Sequence, residues 1–205
     1  MLLLGSVVSQ CGIQLFVALG LGADPYMVFV QGVARQIGWT NGQAMLLVML
    51  VIAGLILATS RGYILPGTVY CVFCTGPLVD FYAWLYGRLL PQARGVALNA
   101  ALLLAACVVA SLGIGLTIQS NAGACPNDLV SVVLSDRIKP LAFRWARIGT
   151  DACFVAAGYL MGGTVGVGTV VSVLLYGPVI QWFSPVTEGL ARRMRVREPA
   201  QTVKL

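Results

Sequence analysis

Charged side chains inside apolar runs are the residues of this chain that could do chemistry. Arg147 and Asp151 lie four residues apart in the apolar stretch that begins near residue 141, so a helix would place them on one face, where they can pair. Burying charge in a bilayer is costly, and such residues often mark the path of a solute or ion. A structural ion pair that locks this helix to its neighbours explains the same pattern, and both interpretations stay open.

Two Gly/Pro loops are the second candidate. One runs from Gly123 to Asp128, and its counterpart runs from Gly22 to Pro25. Because each proline would start a short helix, the loops offer free N–H groups and partial positive charge. We predict that the loops meet at one cavity and bind a small zwitterion or a cation-coupled solute, although Asp128 could instead simply cap its helix. The predicted binding residues are Asp24, Pro25, Cys125, Pro126, Asn127, Asp128, Arg147 and Asp151.

The composition indicates a membrane protein. Hydrophobic residues make up 59% of the 205 residues and charged residues only 10%, whereas about a quarter of a soluble domain is charged. Histidine is absent, which excludes a proton relay based on it. The basic residues do not alternate with aromatic residues on a polar face, so a nucleic-acid partner is not expected.

The loops belong to an internal duplication. An offset of 101 residues carries Gly12 onto Gly113, Gly67-Thr68-Val69 onto Gly168-Thr169-Val170, and Gly76-Pro77 onto Gly177-Pro178. A repeat that preserves glycine and proline preserves the positions where backbone geometry is most restricted. We predict one membrane domain over residues 1–205, with repeats at about 5–86 and 106–187 and a basic tail at about 188–205.

The expected fold is an all-α polytopic bundle of six long spans and two short helices that begin with proline. The long apolar runs cover 2–21, 43–59, 63–86, 95–119, 141–162 and a last span that ends near Ser184. Gly76-Pro77 is expected to interrupt its span. The short segments at 25–37 and 126–136 would rise only about 20 Å, less than a hydrocarbon core of about 30 Å.

The direction of the second half depends on whether the short helices cross. Without crossing, each half has three spans and the halves are inverted, which leaves Arg35, Arg88 and Arg94 outside. With crossing, the halves are parallel and only Arg61 lies outside. The positive-inside rule favours the parallel arrangement, with both termini and the 88–94 linker in the cytoplasm.

The second half resembles the YczE/YyaS/YitT-type family of small bacterial integral membrane proteins, and most closely its YczE-like branch. The resemblance lies in the loop 123–128, the set Arg144, Arg147 and Asp151, and the run 162–169 with Gly177-Pro178. It extends more weakly through the first half, where Met27 stands at a position at which the family usually has Asp. The resemblance implies a helical fold in the bacterial inner membrane and no established activity.

The sequence leaves three kinds of function open. A small-solute transporter or permease is favoured, because paired broken helices often hold substrates. A membrane accessory protein that assists a partner enzyme or assembly is the alternative, and a membrane enzyme is the weakest. We expect no catalytic residues, cofactor or metal. The expected partners are the bilayer and an unknown small solute, and a homo-oligomer or a membrane partner stays open. The six cysteines, Cys71 and Cys74 included, are interpreted as packing residues, with Cys125 in the loop as the exception.

Overall fold

A computed structural model describes residues 1–59, 65–90, 95–120, 125–138 and 143–195, and this part of the chain is helical without a strand. Gly123 and the side chains of Arg144 and Gln181 lie outside the described residues. The expectation of an all-α fold is confirmed. The eight helices are α1 (Leu2–Ala18), α2 (Pro25–Ile37), α3 (Asn41–Thr59), α4 (Pro66–Leu89), α5 (Val96–Gln119), α6 (Pro126–Arg137), α7 (Phe143–Leu160) and α8 (Val167–Arg195).

The surface and the helix lengths fit a membrane. Within the described residues, α3, α4 and α5 are long and apolar enough to cross one, while α1 is an apolar helix of 17 residues. Large apolar side chains point outward, among them Leu160 at 84% exposed and Trp182 at 78%. Such exposure is unfavourable in water and ordinary against lipid. The protein is therefore a membrane protein. Of the six long spans expected from the sequence, three are long and apolar enough to cross a membrane within the described residues.

Small residues let α1 and α5 pack with their backbones in contact. A Cβ atom built on Gly12 would lie 2.8 Å from Ala110 Cα, and one built on Gly113 would lie 2.5 Å from Ser9 Cα. Gly5 packs against Thr117 in the same way. Because residue numbers rise along α1 as they fall along α5, the two helices run antiparallel. This close approach is the small-residue packing that membrane helices use in place of a hydrophobic driving force.

The directions of the other helices follow from their contacts. α4 runs parallel to α1, since the Ser6 hydroxyl bonds to that of Tyr70 at 3.0 Å, while Gln14 and Val17 line one cleft with Tyr86 further along α4. α3 runs antiparallel to α4, because Gly42 at its start contacts Asp80, while Leu46, one turn later in α3, contacts Gly76, one turn earlier in α4. α1 and α3 therefore run in opposite directions, and α2 between them adds no crossing.

The parallel arrangement favoured in the sequence analysis is wrong. α1 and α5 occupy the same place in the two predicted repeats and run antiparallel. Since α4 is parallel to α1, its end at Leu89 lies at the opposite face from Leu2, so Arg88 and the first residues do not share a side. The charge count assumed that the short helices cross, whereas the helix directions leave no crossing for α2.

The short helix α2 forms the centre of the core. Nine of its 13 residues are buried, and Met27, Val28 and Val30 have no exposed surface. It packs on α3 and runs parallel to α7, with Tyr26 against Phe154 at its start. A helix enclosed by protein can end within the membrane because neighbouring groups satisfy its backbone.

α4 contains a proline that does not interrupt it and a carboxylate that contacts the start of α3. α4 continues from Pro66 to Leu89 through Pro77, so the expected interruption at Gly76-Pro77 does not occur. Asp80 of α4 accepts hydrogen bonds from the Thr40 hydroxyl at 2.6 Å and the Gly42 N–H at 2.8 Å. Asp80 therefore supplies a carboxylate to the positive N-terminal end of α3, which stabilises the α3–α4 hairpin.

Candidate solute site

The first loop is fixed by the start of α8. Gly20 and Gly22 have φ values of 71° and 127°, a region that other residues avoid. The Gly168 N–H donates to the Leu21 carbonyl at 2.8 Å, and the Ala23 N–H donates to Thr169 Oγ1 at 3.3 Å. The Gly168-Thr169 pair of α8 therefore anchors this loop. This anchor fixes the loop that ends at Asp24, directly before α2.

The predicted pair of Arg147 and Asp151 is present, and Asp128 joins it. Arg147 Nε donates to Asp151 Oδ2 at 3.1 Å along α7, while its Nη1 contacts Asp128 Oδ1 across to α6. Asn127 Nδ2 also donates to Asp128 Oδ1, at 3.1 Å. The side chains of Arg147, Asp128 and Asp151 are 39%, 35% and 23% exposed. These three residues form a cluster of two carboxylates and one guanidinium, and all three side chains remain partly exposed.

The first loop approaches this cluster. Asp24 directly precedes α2, whose second residue, Tyr26, packs on α7, and Asp128 in the first turn of α6 contacts Arg147 of the same helix α7. The Tyr26 ring packs edge-on against Phe154, one turn after Asp151 in α7, with ring centres 5.5 Å apart. The structure thus brings the N-terminal ends of α2 and α6 to one region. Pro25 and Pro126 begin these two helices, as predicted.

Several buried oxygen atoms in this region lack a hydrogen-bond partner within the described residues. They are Asp24 Oδ1, the Tyr26 hydroxyl and Asn127 Oδ1. Asp24 and Cys125 are the residues directly before α2 and α6. Buried polar atoms are normally bonded, and unpaired ones call for a functional explanation. Tyr26 was missed from the sequence, and its position next to Pro25 was the available signal.

Cys125 contacts another thiol. Its Sγ lies 3.0 Å from Sγ of Cys71 in α4, 54 residues away, and both cysteines are free. The spacing of Cys71 and Cys74 gave no indication of this contact, because a contact between helices leaves no local pattern in the sequence. Among the described residues, no group of three His, Cys, Asp or Glu side chains is arranged to hold a metal ion.

A cleft of about 250 Å³ lies between α1 and α4, away from the charged cluster. Gln14, Val17, Ala18, Ala83, Tyr86, Gly87 and Leu90 line it. None of the predicted binding residues is among them, so the cleft is separate from the cluster.

These features define a helical membrane protein with a charged cluster between its helices. The chain belongs to DUF6198, a family of unknown function whose model matches residues 1–185. It is 28% identical to YyaS of Bacillus subtilis strain 168 over 192 residues, which cover 90% of this chain and 91% of that protein. It is 22% identical to the membrane protein YczE of the same strain, over 88% of this chain and 82% of YczE.

A protein of Haemophilus influenzae Rd is 30% identical over 175 residues, which cover 82% of this chain and 75% of that protein. No solved structure matches the chain significantly. The relatives place the chain in a family of bacterial proteins, and the description of YczE agrees with a membrane location.

Proposed function

We propose that the chain is built from two inverted repeats, each with three membrane spans and one re-entrant half-helix. The contacts between α1 and α5 support this, because Ser9 meets Gly113 and Gly12 meets Ala110. Under the offset of 101 residues, each of these contacts is the image of the other. An in-plane two-fold axis between inverted repeats produces such reciprocal pairs.

Contacts further from this axis repeat the same relation. The Gln36 amide of the first half donates to the Met161 carbonyl of the second, and the guanidinium of Arg137, the image of Gln36, donates to the Thr59 carbonyl, one residue before the image of Met161. α2 packs on α7, and α6 packs on α3. Six long helices that span the membrane, α1, α3, α4, α5, α7 and α8, follow from this proposal, with α2 and α6 as the half-helices.

The proposed orientation has both ends of the chain and the basic tail in the cytoplasm. Cytoplasmic basic residues are then more numerous than Arg35, Arg88 and Arg94, which lie outside with the linker. They are Arg61, Arg137, Lys139, Arg144 and the five of the tail, Arg192, Arg193, Arg195, Arg197 and Lys204. The positive-inside rule is therefore satisfied by the inverted arrangement as well. The proposed location is the inner membrane, which the protein would cross several times.

The proposed function is that of a small-solute permease. The observation that supports it is the position of the α2 and α6 N-termini on α7, beside the cluster of Arg147, Asp128 and Asp151. Discontinuous helices of inverted repeats are where secondary transporters hold their substrates. Two carboxylates in contact with one guanidinium give the cluster a net negative charge, which favours a small cation or a zwitterion over an anion.

Purified protein in liposomes, fused to a solid-supported membrane, tests this proposal. Pulses of choline, glycine betaine and guanidinium are applied, and we expect a saturable current or binding signal for at least one of them. Asp128→Asn should abolish the signal, while Asp136→Asn, at the exposed end of the same helix, should retain it. Folded protein without a response to any of these solutes would contradict the permease proposal and favour an accessory role.

A further inference from the structure

We propose that Cys71 and Cys125 form a redox-active dithiol pair, a disulfide-forming modification site beside the charged cluster. The two sulfur atoms are 3.0 Å apart, and both cysteines are free. Cys71 is fully buried in α4, and Cys125 is half-buried at the residue before α6. Neither thiol needs a large backbone movement to reach the other.

The position of the pair gives oxidation a consequence for the site. Cys125 lies three residues before Asp128, which contacts Arg147. A covalent bond to α4 would hold the first turn of α6 in place. Because α6 is a short helix of 12 residues, fixing its start restricts the whole half-helix. Formation of the disulfide between Cys71 and Cys125 does not depend on solute transport.

The reaction is a two-electron oxidation. The two thiols lose two protons and two electrons, and one S–S bond forms. Diamide takes up both protons and both electrons at its N=N bond and becomes a hydrazine. A cellular disulfide would serve as oxidant in the same way, because thiol–disulfide exchange releases it as two thiols.

Thiol counting on the full-length protein in detergent tests the pair. In a variant that retains only Cys71 and Cys125, with the other four cysteines changed to serine, each free thiol adds one PEG-maleimide after denaturation. We expect diamide to remove both adducts from most of the monomer and dithiothreitol to restore them. The matched control retains Cys74 and Cys125 instead. Because Cys74 lies three residues further along α4 than Cys71, this variant should keep both adducts.

Wild-type protein provides a second measurement that does not rely on the substituted variant folding. After diamide, alkylation and proteolysis, mass spectrometry should find the peptide of Cys71 joined to that of Cys125. Unchanged adducts, equal oxidation of the Cys74 control, or disulfide-linked dimers in place of an internal bond would overturn the proposal.

Discussion

Changing Gly113 to alanine should destabilise the protein by forcing α1 and α5 apart. The added Cβ would meet Ser9 Cα at 2.5 Å and the Gly5 carbonyl oxygen at 2.8 Å. Real Cβ atoms almost never approach within 3.0 Å, so the helices must separate by about half an ångström or more. The obstacles are backbone atoms, which cannot rotate away as the end of a flexible side chain could.

The free-energy cost of Gly113→Ala can be estimated from other substitutions that overpack a protein interior. Extra methylenes in a well-packed interior typically cost about 1–3 kcal/mol, and the backbone obstacles place this variant at the upper part of that range. In a chain of about 200 residues, each kcal/mol lowers the Tm by roughly 2–4 °C. We therefore expect Gly113→Ala to lower the Tm by about 4–12 °C.

Thermal unfolding in detergent, followed by tryptophan fluorescence, measures this effect. Gly54→Ala is the matched control, because a Cβ on Gly54 meets nothing within 4 Å, and it should leave the Tm unchanged or slightly higher. Gly12→Ala should lose as much as Gly113→Ala, since the two glycines hold reciprocal positions. A Tm for Gly113→Ala within 1 °C of the wild type would refute the packing argument.

Three further outcomes are expected. Asp80→Ala removes two hydrogen bonds at the start of α3 and should cost about 1–2 kcal/mol, seen as a lower Tm; an unchanged Tm would contradict the capping role. Asp151→Asn should reduce the free energy of unfolding by about 1–2 kcal/mol more than Asp136→Asn, because the pair is partly exposed. This should be seen as a lower Tm, and equal Tm values would count against a stabilising pair. On a cysteine-free background, Pro91→Cys should react with an impermeant maleimide outside the cell while Gln201→Cys is protected, and the reverse result would exclude the proposed orientation.

The sequence by itself determined the class of protein and the local elements. Low charge content and long apolar runs are properties of composition, so the membrane location follows without coordinates. Helix starts at Pro25 and Pro126 were also predictable, because proline fixes its own φ and lacks only an N–H that a first helical residue does not need. The pairing of Arg147 with Asp151 required only helical spacing.

Tertiary structure decided what these local signals could not. The relative direction of α1 and α5 could not be read from the sequence, and only the contacts of Gly12 and Gly113 with the opposite helix showed that the two run antiparallel. Asp128 joins Arg147 across two helices, and Cys125 meets Cys71 across 54 residues. Contacts between helices depend on how whole segments pack, and packing leaves no fixed spacing in the chain. The sequence identified most of the candidate site residues, while the fold decided which of them lie together.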